Sequence, residues 1–117
     1  MKYSELRVWQ EAMDLVTEVY RLSKSFPSEE KYGLASQIQR AAVSVPSNIA
    51  EGHGRKSTNA YVNHLSIAFG SLMELETQVQ IAARLEYITK DDANRFLTKT
   101  DQVGKMIGAL KNSLSKS

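Results

Sequence analysis

The residues able to do chemistry in this chain are few. It has no cysteine and two histidines, His53 and His64. Without a thiol, neither a disulfide framework nor a cysteine metal site can form. His53 lies in the glycine-flanked run Gly52-His53-Gly54 and His64 in a helical stretch, so both read as separate surface histidines. Bundles that carry a di-iron centre supply Glu-x-x-His motifs from facing helices, and this chain has none. Glu74 and Glu76 stand two residues apart, which on a helix points them in different directions and prevents joint acid–base work. Neither the Gly-x-x-x-x-Gly-Lys phosphate loop nor the Gly-x-Ser-x-Gly nucleophile elbow occurs. The expectation is a protein with no enzyme activity, no metal and no cofactor.

What the sequence does offer is polar side chains at helical spacing, and these need helices to place them. Four segments carry helical periodicity, with short breakers between them. The first, from about Ser4 to Lys24, has two neighbouring apolar seams: Leu6, Trp9, Met13, Val16 and Tyr20, and beside it Val8, Ala12, Leu15, Val19 and Leu22. A bundle helix needs only one broad stripe, so the doubled seam predicts cover on more than one side. The second, about Glu29 to Glu51, carries Leu34, Ile38, Ala41, Val45 and Ile49 on its seam. Pro46 removes a backbone donor inside it, predicting a kink or short break near Val45. The third, about Ser57 to Glu86, keeps a heptad-like rhythm through Tyr61, Leu65, Ala68, Leu72, Leu75, Val79 and Ala82, with Ser57 or Thr58 as N-cap. The fourth starts at Thr89, where Thr89-Lys90-Asp91-Asp92 resembles a capping box, and runs on through Phe96, Val103, Ile107, Leu110 and Leu114. Connections this short make consecutive helices antiparallel. The predicted fold is all-α, an up-down-up-down antiparallel four-helix bundle with its second helix kinked at Pro46.

Composition agrees with a single domain over residues 1–117. A chain of this length buries roughly 65% of its unfolded surface, enough for one core without staples. No apolar run approaches the ~18 residues of a membrane span, and the N-terminus lacks the uninterrupted apolar core of a signal peptide. The expected compartment is the cytoplasm, with no membrane partner. Fifteen basic residues against thirteen acidic ones leave a net charge of +2, which permits a polyanionic partner without requiring one.

Two polar stripes stand beside the seams. Gln37, Arg40, Ser44, Asn48 and Glu51 share one face of the second helix, and Asn63, Ser66, Gly70, Glu74 and Thr77 share one of the third. Glycine inside a helix costs about 1 kcal/mol relative to alanine, so Gly70 calls for compensation, most simply another backbone close by. Two readings fit: both stripes are solvated faces, or they form a polar, small-residue seam between subunits, with Arg40 paired to Glu51 or Glu74.

Together these residues carry a resemblance. Leu6-Arg7-Val8-Trp9-Gln10, Phe26-Pro27, Tyr32-Gly33-Leu34 and Gln37-Ile38-Gln39-Arg40-Ala41-Ala42 lead into Ser44-Val45-Pro46-Ser47-Asn48-Ile49-Ala50-Glu51-Gly52. Gly54-Arg55, Gly70-Ser71-Leu72 and Glu74-Leu75-Glu76 follow. In these runs the sequence resembles the four-helix proteins encoded in 23S rRNA intervening sequences, a family that includes the accessory variability proteins of diversity-generating retroelements. The similarity extends to about Ile88, and the fourth helix matches only in pattern. The resemblance implies a homo-oligomer, a pentameric barrel, acting as a nucleic-acid-binding accessory protein without catalysis. On it Arg40, Asn48, Glu51, Gly52, Gly70 and Glu74 are fold and assembly determinants.

An up-down topology also sorts the charge. The start of the first helix, the loop between the second and third and the end of the fourth share one end of the bundle. That end collects six basic residues, Lys2, Arg7, Arg55, Lys56, Lys111 and Lys116, against Glu5 and Glu51, a net of +4. The other end collects Arg21, Lys24, Lys31, Arg84 and Lys90 against six acids, Glu18, Glu29, Glu30, Glu86, Asp91 and Asp92, a net of −1. Either this is a solvated helix end with a basic tail, or it is an electrostatic footprint for phosphates that ring assembly would multiply. On the second reading RNA or DNA is the partner, and Arg55, Lys56, Arg7 and Lys111 are the candidate contacts. The alternative partner is another protein, held by an oligomeric scaffold.

Overall fold

The computed structural model describes residues 1–116 and contains four long helices. A short 3-10 turn at Tyr3–Glu5 leads into α1 (Arg7–Ser23), and a second at Ser28–Glu30 precedes α2 (Leu34–His53); α3 (Thr58–Arg84) and α4 (Lys90–Ser115) follow. Each helix packs against its two neighbours in the order α1–α2–α3–α4–α1, and the diagonal pairs do not approach. This is the up-down-up-down four-helix bundle. It is elongated, 46 by 24 by 20 Å.

The core follows from which seam each helix turns inward. On α1 it is Val8, Ala12, Leu15 and Val19 that are buried. Trp9 and Val16, on the neighbouring seam, are only half-buried, and Met13 and Tyr20 are more than 40% exposed. On α2 and α3 the predicted seams are buried apart from the half-buried Leu34 and Tyr61. On α4 Phe96, Val103 and Ile107 are buried, while Leu110 and Leu114 are partly covered near the chain end.

Helix ends use local hydrogen bonds. Ser57 caps α3 by accepting from the Ala60 N–H at 3.0 Å, and Thr89 caps α4 by accepting from the Asp92 N–H at 3.1 Å. Helix α3 closes in a Schellman arrangement: the Tyr87 N–H donates to the Ala82 carbonyl and the Glu86 N–H to Ala83. Glu86 takes the left-handed position, φ 62°, that this motif demands. Tyr87 is thereby aimed across the bundle end. Its hydroxyl donates to Glu30 Oε2 at 2.9 Å, and its carbonyl accepts from the Ser25 hydroxyl at 2.8 Å.

Of the kink or short break expected near Val45, the break is absent, since α2 is helical without interruption through the buried Pro46. Proline forfeits the bond to the carbonyl four residues back and its ring crowds that carbonyl. Pro46 lines a groove with Trp9, Met13 and Val16 of α1.

Candidate nucleic-acid interface

The motif residues of α2 gather on the side facing α3. Asn48 Nδ2 donates to the Ser44 carbonyl at 2.9 Å and to the Ser44 hydroxyl at 3.0 Å, and Ser44 shares a 2.7 Å hydrogen bond with Ser71 of α3. With its amide so fixed, Asn48 turns Oδ1 to His64 Nδ1, 3.1 Å away. Glu51 Oε2 lies 3.7 Å from the same nitrogen. His64 is therefore not the free surface histidine that its sequence context suggested. Its side chain is 16% exposed and closes a polar chain running from one helix to the other.

Gly52 explains how the helices come so close. A Cβ at this position would stand 2.8 Å from the His64 Cβ and 3.0 Å from Tyr61 Cδ1. No side chain fits there without moving α3. Gly70, expected to mark a close approach, has nothing within 4 Å of where its Cβ would be. Within the chain it faces open space, among the exposed Ile67, Phe69 and Met73. Arg40 and Glu74 line one shallow polar groove with Gln37, Ala41, Ser44 and Ser71, yet form no ion pair with each other among the described residues.

Two other features escaped the sequence reading. Ser71 joins the polar chain, and Gln78, seven residues further along α3, is buried with Oε1 lacking a hydrogen-bond partner among the described residues. His64, Ser71 and Gln78 recur at heptad spacing, a polar stripe beside the apolar one that was legible in principle. The Glu30–Tyr87 bond joins residues 57 apart, and no local pattern signals it.

The basic end is assembled as the topology demands. Tyr3 lines a groove with Ser47 and Ala50, so the N-terminal turn lies beside the last turns of α2. Gly104 faces Phe69 and Leu72, which sets α4 antiparallel to α3 and brings its C-terminus toward the 54–57 loop. Arg55 and Lys56 lie in that loop, exposed, within the exposed run Gly54–Asn59 and with no ion pair among the described residues. Arg7 is exposed but 3.8 Å from Glu11, and Lys111 is partly covered. An exposed i,i+4 pair contributes well under about 1 kcal/mol, yet it offsets part of the charge Arg7 offers to a partner. Of the four only Arg7 is ion-paired among the described residues, and Arg55 and Lys56 are more exposed than Lys111. At the other end Lys31 lies over the Tyr32 ring, and Arg95 pairs with Asp92.

Among the described residues no group of three or more His, Asp or Glu side chains stands close enough to hold a metal ion. No helix among them is long and apolar enough to cross a membrane.

A crystal structure described as a protein of unknown function from the S23 ribosomal protein family of Bacteroides thetaiotaomicron VPI-5482 has the same fold. It superposes with a TM-score of 0.82 at 22% identity, covering 89% of this chain and 97% of that one. A comparison with curated proteins gives no match. The family model described as 23S rRNA-intervening sequence protein matches residues 4–109, a span reaching into all four helices and containing the whole Ser44–Asn48–His64–Ser71 chain. This chain belongs to the 23S rRNA-intervening sequence protein family.

Proposed function

We propose that this protein is a non-catalytic, self-associating helical bundle that binds nucleic acid, RNA foremost, through phosphate contacts at its basic end. The observation that carries the reading is the sorting of charge along the bundle. Lys2, Arg7, Arg55, Lys56, Lys111 and Lys116 share one end with Glu5, Glu11 and Glu51, and Arg55 and Lys56 stand there exposed without ion pairs among the described residues. Neutralising phosphates releases condensed counterions, so such binding is sequence-tolerant and falls steeply with salt. Self-association into a ring, as in the pentameric barrel that the resemblance implies, would repeat the basic end around one rim and raise avidity. The family's description, which names an rRNA intervening sequence, favours RNA among polyanions. Cytoplasmic residence goes with that role.

A second reading has its own observation. Tyr3, Trp9, Met13, Val16, Val43, Pro46, Ser47 and Ala50 line an open, mostly apolar groove of about 330 Å³ between α1 and α2. Such a surface suits protein contact better than phosphate, and favours an oligomeric scaffold for a partner protein. Titrating purified protein into labelled RNA and DNA of unrelated sequences, at low and high salt, separates the two. Salt-dependent binding of all of them supports the nucleic-acid reading. Indifference to nucleic acid at low salt, with a protein partner that co-purifies, replaces it with the scaffold.

A further inference from the structure

Beside Arg55 and Lys56 lie two rings that phosphate binding leaves unused. His53, the last residue of α2, and Tyr61, in the first turns of α3, meet edge to face with centroids 5.8 Å apart and planes at 84°. Both are half-buried, and burial pushes the Tyr61 phenol above its usual range. The His53 side chain takes part in no hydrogen bond among the described residues, so no polar contact accounts for its orientation. What fixes it is packing. The bare backbone at Gly52 lets α3 come within van der Waals contact of α2, which seats Tyr61 against the helix, and Tyr61 in turn props the His53 ring. Glu51, the acid nearest in sequence, turns toward His64 instead. The result is a pre-set aromatic pair that flanks in sequence the six exposed residues Gly54–Asn59, two of them cationic.

Rings held beside a track of free cations are how proteins grip single strands without reading sequence. Every base has a π-face, and only an unpaired base can offer it. We propose that the His53–Tyr61 pair, next to Arg55 and Lys56, is a stacking platform for an unpaired base, so that this end of the bundle prefers single-stranded to duplex nucleic acid. The proposal rests on the nucleic-acid reading above and adds the form of the ligand to it. Gly52 then holds the platform in place as well as closing the helix interface.

The test compares three probes by fluorescence anisotropy: an oligouridylate, the same strand annealed to oligoadenylate, and inorganic polyphosphate of matched charge. Wild type should bind the single strand most tightly. His53→Ala should weaken single-strand binding about fivefold or more, in line with the loss of one stacked base, while duplex and polyphosphate affinities stay put. His53→Phe, which keeps a ring, should hold the wild-type preference, and His53→Lys, which adds a cation and removes the ring, should not. Thermal unfolding of the three variants checks that the bundle is intact. Equal affinity for single strand and duplex, or a His53→Ala variant that loses on all probes alike, overturns the stacking platform and leaves phosphate binding standing. Polyphosphate binding as tight as the single strand overturns it too. No binding to any probe at low salt removes both readings.

Discussion

An alanine methyl at Gly52 would stand 2.8 Å from the His64 Cβ, whereas one at Gly70 would meet nothing within 4 Å. Overpacking of that kind costs about 1–3 kcal/mol, so Gly52→Ala should lower the urea midpoint and weaken the contact between α2 and α3. Gly70→Ala should instead stabilise an isolated protomer by up to ~1 kcal/mol, the helix-propensity difference with no steric offset. Equal midpoints for the two variants would refute the assignment of the close approach to Gly52. Glu30 and Tyr87 make stability depend on pH. Hydrogen bonds from the Leu34 N–H, chiefly, and the Tyr87 hydroxyl hold the Glu30 carboxyl below its usual range, and donating that second bond pushes the Tyr87 phenol up. Glu30's contribution is full above the unfolded-state glutamate value of ~4.3 and is lost as pH falls through its lower folded value. Tyr87's is full below ~10 and is lost as pH rises through its higher folded value. Tyr87→Phe should therefore cost most stability near neutral pH, with the gap to wild type narrowing toward both extremes in a denaturation series. A gap that stays constant with pH would show that this bond does not set the dependence.

At the level of elements, α1 is the helix with more apolar surface than its neighbours can cover. Val8, Ala12, Leu15 and Val19 of its inner seam are buried to 5% exposure or less, but Met13 and Tyr20 on the outer seam remain above 40% exposed, next to the equally exposed Val43 of α2. Helix α3 also exposes apolar side chains on either side of Gly70, with Phe69 and Met73 one turn apart on one side and Ile67 on the other. Surfaces of this kind on two sides of one bundle argue for contact between copies, since soluble monomers rarely leave large apolar patches in water. Light scattering on purified protein should give a mass several times the 13.1 kDa of the chain. Gly70→Leu should reduce that mass by holding a facing surface away, even where Gly70→Ala leaves it intact. A monomer at micromolar concentration would contradict the element-level reading and would leave both sets of exposed apolar side chains unexplained.

For the molecule as a whole, the consequence of the topology is a charge gradient along a 46 Å axis. Replacing both Arg55 and Lys56 by alanine should weaken binding to all nucleic-acid sequences about equally. On duplex DNA it should also make the logarithmic salt slope shallower, by up to ~0.9 for each phosphate the variant no longer neutralises. The matched change at the opposite end, Lys24 with Lys31, should do little, because six acids share that end with those cations. If the two double variants behave alike, the gradient does not direct binding. The sequence by itself determined the helices, their order and their antiparallel sense. Apolar spacing, cap residues and short connections are local properties, and four such helices have few ways to bury their stripes. It also determined which residues would gather at the basic end, since that follows from topology and needs no atomic contact. Only the tertiary structure decided which α1 seam faces inward, because both are equally periodic and the choice depends on what the other helices present. Only it showed that Gly52 rather than Gly70 is the close approach within the chain, that His64 is held by Asn48, and that Tyr87 reaches Glu30. Each of these joins residues on different elements, and their meeting depends on interhelical distance and rotation that spacing within one helix does not fix.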